Sequence, residues 1–203
     1  MRARCRLSAA VLQWADRCGG AAARGGTPHV ASPRFGKWTD RIKPMLTVVL
    51  RFVYLAALTL WIGGMTFFTF IAAPSIFKVL PREAAGNVVA DIFPKYYWQG
   101  LACGVIALMT SIALGMRTSW SRLLVVRVLL LGVMLIAVLY SAFILQPKIQ
   151  AVKAQVTSFE SLAPTDPLRV EFGRLHGRSF AVNAAVLLVG IIVVFITAFT
   201  MKV

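Results

Sequence analysis

Four long apolar runs alternate along the chain with stretches rich in charge and proline. They cover about residues 46–73, 99–116, 123–145 and 180–201. About 20 apolar residues on a helix cross the roughly 30 Å of a bilayer's hydrocarbon. The pattern therefore predicts an all-α membrane protein, a four-transmembrane-helix bundle with both termini on one side. Only a short turn separates Arg117 from Arg122, so spans two and three must be antiparallel neighbours. Pro74 is expected to close span one, since proline cannot donate to a helix and disfavours helix in the residue before it.

The connections after spans one and three, loops 1 and 3, each predict an amphipathic interfacial helix. In loop 1, Leu80-Pro81-Arg82-Glu83 reads as a helix start, with proline near the first position and an acid in the first turn. Ala85, Val88, Val89, Ile92 and Phe93 follow at helical spacing, and Pro94 is expected to stop the helix. Tyr96, Tyr97 and Trp98 then read as an aromatic belt at the membrane surface. In loop 3, Pro147 opens a helix with Ile149, Val152, Val156 and Phe159 on one side. Further on, Asp166-Pro167 reads as an N-cap and first helical proline, starting a helix that continues into span four.

Composition agrees with this pattern: 59% of the 203 residues are hydrophobic, and the mean hydropathy is +0.77. The net charge of +15 does not point to nucleic acid. Residues 1–44 carry nine basic residues against Asp16 and Asp40, and most other cations flank spans, where anionic headgroups account for them. This basic, acid-poor tail reads as a targeting segment, as disordered chain, or as sequence ahead of a start at Met45, leaving 45–203 as the membrane domain. Cys5, Cys18 and Cys103 form no CxxC and no disulfide framework. A bacterial inner membrane is expected before an organelle's. The positive-inside rule leans weakly toward cytoplasmic loops.

All seven acids lie outside the spans, which argues against a proton-coupled carrier of the usual kind. His176 is the candidate centre. On a continuous helix it shares a side with Phe172 and Asn183, and Arg174 and Arg178 flank it. A polar site near the start of span four would use His176 and Asn183, with Arg174 or Arg178 drawing in an anion. Gln146 is a further candidate at the end of span three. Arg127, one turn inside span three, either snorkels to the interface or has a buried partner. Gly100 and Gly104 form a GxxxG, a surface for close helix contact that would suit a second copy or a membrane partner. No cluster at ligand spacing and no catalytic motif occurs, so no metal, no cofactor and no enzyme activity is expected.

Three loop motifs, in order, carry a family resemblance. The first is Leu80-Pro81-Arg82 with Gly86, Val88, Ile92-Phe93-Pro94 and Tyr96-Tyr97. The second is Leu145-Gln146-Pro147-Lys148, and the third is Phe172, Arg174, His176-Gly177, Ser179 and Asn183. Over about residues 45–203 the chain resembles the transmembrane protein 205-like family of small four-span proteins. The resemblance implies four membrane helices. Eukaryotic members have been linked to platinum-drug resistance, which implies handling of metals or small molecules. Two functions follow as expectations. One is binding, or helping to move, a small molecule or ion at the His176 end of the bundle. The other is a structural or assembly role in which the amphipathic loop helices hold a partner or lipid headgroups. A common cavity around His176, Asn183, Gln146 and Arg174 would favour the first, and a His176 facing lipid or solvent the second.

Overall fold

A computed structural model describes the backbone of residues 35–156 and 161–200, and side chains from Pro44 onward within them. The amino-terminal tail before residue 35 and Phe159 of the loop 3 stripe fall outside the described residues. The chain divides into two units, Met1–Ile42 and Lys43–Val203, and the second holds the membrane domain.

The helices are α1 (Phe35–Phe67), α2 (Ala73–Val79), α3 (Arg82–Thr118), α4 (Arg122–Tyr140), α5 (Gln146–Lys153) and α6 (Pro167–Thr200). A π-helical turn joins α1 to α2 (Phe68–Ala72), and another joins α4 to α5 (Ser141–Leu145). Among the described residues, four helical stretches are long and apolar enough to cross a membrane: Pro44–Val79, Arg82–Thr118, Arg122–Lys153 and Pro167–Thr200. Their lengths of 32 to 37 residues correspond to roughly 48–56 Å at 1.5 Å per residue, well beyond the hydrocarbon thickness. The interfacial helices of loops 1 and 3 are thus continuations of the spans.

This continuity corrects the expected ends. Pro74 and Pro147 neither close nor open a helix, because each sits two residues beyond the end of a π turn. The N–H of Ala73 bonds to the carbonyl of Phe68, and the N–H of Gln146 to that of Ser141. A proline lacks an N–H, and its ring would strike the carbonyl four residues back, at Phe70 and Phe143. Widening the preceding turn relieves that collision and lets the helix run on. Pro94 does not stop its helix either, and lies inside α3. Asp166 does behave as expected. Its carboxylate accepts from the Leu168 N–H at 2.8 Å, with Pro167 as the first helical residue.

The core is a set of inward stripes. Tyr54, Leu58, Trp61 and Met65 line one side of α1 at spacings of three and four. They meet Tyr97, Leu101 and Ala107 of α3, Leu131, Met134 and Val138 of α4, and Val186 and Val193 of α6. Large apolar side chains such as Phe70, Ile136 and Phe195 face outward, as lipid contact allows. Leu145, Ile149, Val152 and Leu175 form a smaller cluster where α5 meets α6. The Lys153 ammonium ties loop 3 to loop 1, donating to the Gly86 carbonyl (3.2 Å) and the Asn87 side chain (2.8 Å).

Gly100 and Gly104 are both buried within the bundle. A Cβ on Gly100 would lie 3.2 Å from the Trp61 indole nitrogen, and one on Gly104 2.9 Å from the Trp61 ring. The GxxxG groove expected to receive a second copy or a partner is therefore filled from within the chain, by an indole.

Candidate binding site within the bundle

All four spans contribute to one small cavity near the loop end of the bundle. Its lining includes Trp61 and Gly64 of α1, Tyr96, Tyr97 and Gln99 of α3, Ser141 at the end of α4, and Asn183 of α6. Its volume of about 20 Å³ is room for roughly one water molecule. The Tyr96 hydroxyl donates to Asn183 Oδ1 at 2.7 Å, joining α3 to α6. The Tyr97 and Ser179 hydroxyls are 3.5 Å apart on the same pair of helices. The Gln99 amide donates to the Leu60 carbonyl at 3.3 Å. Buried polar groups are costly unless bonded, so these pairs fix how the spans face one another.

An aromatic cluster stands beside the cavity. Phe68 lies 5.4 Å from Tyr96 and 5.6 Å from Phe93, and Phe93 is stacked 5.7 Å from Tyr97. These are favourable ring separations. Both π turns reach this region, since Phe68 begins the first and Ser141 begins the second. The lining carries no acid, no cation and no thiol. Its chemistry is hydrogen bonding beside aromatic faces.

A second cavity, of about 100 Å³, lies at the opposite end, by the turn between α3 and α4. Arg51, Leu114, Thr118, Ser119, Ser121, Leu124, Arg127 and Thr200 line it. Arg127 is only 4% exposed, and its guanidinium carbon sits 4.8 Å from the centre of the Tyr54 ring, a cation–π contact. The Tyr54 hydroxyl in turn shares a 2.7 Å hydrogen bond with Thr197. The Ser121 hydroxyl caps α4 by accepting from the Leu124 N–H at 3.2 Å.

The expected site residues separate in space. Asn183 lies on the loop-end cavity and Arg127 on the other. His176 is exposed and stacked on Phe172 at 5.9 Å, and Arg174 and Arg178 are exposed on α6. Gln146 is buried, close to the Leu145–Ile149 cluster. His176, Arg174, Arg178 and Gln146 are not part of the Asn183 cavity lining. Tyr96 and Tyr97, read from sequence as surface belt, are the chief polar groups of that cavity. The signal that could have drawn them in is their position one to two turns ahead of Gly100 and Gly104, on the same inward face of α3.

The chain matches the family model described as a domain of unknown function, DUF4149, over residues 56–158, half of its length. An uncharacterised protein of Aquifex aeolicus (strain VF5) is 38% identical over 135 residues, covering 66% of this chain and 86% of the relative. The chain belongs to the DUF4149 family. The DUF4149 match takes in Trp61, Phe68, Tyr96, Tyr97, Arg127 and Ser141. Ser179 and Asn183, on α6, lie beyond it. No solved structure matches the chain significantly.

Proposed function

We propose that this multi-pass membrane protein binds a small uncharged amphiphile at the cavity between α3 and α6, and that it does so in a bacterial inner membrane. The observation that carries the reading is the Tyr96–Asn183 hydrogen bond in a cavity that Ser141, the first residue of the second π turn, helps to line, with Phe68 of the first π turn against the Tyr96 ring. π turns mark functional sites more often than chance. Asn183 keeps two N–H donors outside its bond to Tyr96, and the Tyr96 oxygen keeps its acceptor lone pairs. A ligand with an aromatic or aliphatic body and one hydroxyl, carbonyl or amide group would match both these donors and the Phe68–Phe93–Tyr96 rings. The cavity is water-sized as it stands, so entry requires α3 and α6 to part, with the Tyr96–Asn183 bond exchanged for bonds to the ligand. The proposal is of a binding protein rather than an enzyme. The resemblance to the transmembrane protein 205-like family supports the same direction, given that family's link to drug resistance.

A structural or assembly role is the second reading. The exposure of His176 and the small volume of the cavity favour it. Thermal shift separates the two, using detergent-solubilised wild type and Asn183→Val with a panel of uncharged amphiphiles bearing hydroxyl, carbonyl or amide groups. Binding predicts a rise in Tm of roughly 5 °C or more at saturation for a matching compound. Asn183→Val should abolish that rise. Equal shifts in both proteins would overturn the proposal, and a flat response with a marked loss of stability in Asn183→Val would support the structural role.

A further inference from the structure

We propose that the cavity between the α3–α4 turn and the end of α6 is a phosphate-binding site, with Arg127 as its anchor. Arg127 is nine-tenths buried and lines the cavity, and its Nε has no hydrogen-bond partner. Among the described residues its charge-related contact is the Tyr54 ring face. A second cation, Arg51, lines the same space, and among the described residues no carboxylate does. A buried unpaired charge such as that of Arg127 is strongly disfavoured. An anion in the cavity removes that penalty and also gains from Arg51 on the same lining.

The remaining lining fits an oxyanion. Ser121 accepts the Leu124 N–H, so its own hydroxyl hydrogen is left to donate outward. The cavity lies at the N-terminus of α4, where orphan N–H groups and the helix dipole favour negative charge. A guanidinium offers several donors in a fixed fork that matches phosphate. Thr118 and Thr200 donate to their own helices, to the carbonyls of Leu114 and Ile196, so they shape the wall rather than bind. The place in the fold agrees. Arg127 is only five residues into α4, about 7 Å along the helix, toward the end of the span rather than its middle. The shared chemistry is a phosphate oxyanion, whether carried by a phospholipid or free in solution.

The test is thermal stability of lipid-stripped protein in a neutral detergent. The probes are phosphatidylglycerol, phosphatidylcholine and inorganic phosphate, given to wild type, Arg127→Met and Arg51→Gln. Wild type should gain roughly 5 °C or more in Tm at saturation. A gain with phosphatidylglycerol alone, or with both lipids, assigns the headgroup, and a gain with inorganic phosphate assigns the free ion. Arg51 is exposed, so Arg51→Gln should fold as wild type does, with at least about tenfold weaker binding. Without any probe, Arg127→Met should be as stable as wild type or more so, because it removes an unpaired buried charge. With the probe this order should reverse. No gain in wild type from any of the three, or equal gains in all three proteins, would overturn the assignment.

Discussion

Gly104→Ala adds a single methyl group where the Trp61 ring meets α3. Its Cβ would stand 2.9 Å from Leu135 Cδ1, 2.9 Å from Trp61 Cη2 and 3.0 Å from Trp61 Cζ3. Carbon atoms pack best at about 3.5–4.0 Å, so the shortfall is roughly 0.5–1 Å on two sides. Leu135 is only half-buried and its end can rotate away. Trp61 cannot, because it is 3% exposed and its nitrogen edge already presses on Gly100. Overpacking of this kind typically costs about 1–3 kcal/mol. Alanine recovers roughly 0.5–1 kcal/mol of helix preference over glycine. The net expectation is a loss of about 0.5–2 kcal/mol, or a few degrees in Tm for a chain of this size. Gly132→Ala is the control, since a Cβ there meets nothing within 4 Å. It should be neutral or stabilising by up to about 1 kcal/mol. Unfolding in mixed micelles, followed by tryptophan fluorescence, reads both variants. Adding Trp61→Phe to Gly104→Ala should recover part of the loss, because the smaller ring withdraws from the new methyl. If Gly104→Ala matched Gly132→Ala, Trp61 would not be wedged on that glycine, and the packing argument would fail.

Two more predictions use the same logic. Tyr54→Phe removes the hydrogen bond to Thr197 and should cost about 0.6 kcal/mol, at most about 1.7. Tyr54→Leu also removes the ring under Arg127 and should cost about 1–2 kcal/mol more, read in the same unfolding assay. With Cys5 and Cys18 changed to serine and the buried Cys103 retained, Arg174→Cys and Ser119→Cys should react with an impermeant maleimide from opposite faces of the membrane. Labelling of both from one face would contradict the arrangement of the four spans.

The four spans were legible because bilayer crossing imposes a length and an apolarity that few other structures share. Their ends were not. Proline reads as a helix boundary in sequence, a stop at Pro74 and a start at Pro147, yet at each a π turn ending two residues earlier makes room for the ring. No residue preference marks that turn in advance. The site was legible only in part, for a related reason. Asn183 and Arg127 stand out as polar residues in apolar runs. Their contacts, Tyr96 for Asn183 and Tyr54 for Arg127, lie 87 and 73 positions away on other helices. Helical periodicity ranks faces within one helix and says nothing of which helix a face will meet. Tyr96 and Tyr97 were read as interfacial because they adjoin Trp98, but α3 runs unbroken from Arg82 and turns the two tyrosines inward while Trp98 stays exposed.

Native mass spectrometry of the protein released directly from its membrane, wild type beside Asn183→Val, puts the binding proposal to the most direct trial. The account predicts that wild type carries a bound molecule of a few hundred daltons, uncharged and extractable into organic solvent, and that Asn183→Val carries none. Wild type at the bare chain mass, or the same adduct at equal occupancy in both proteins, would contradict it.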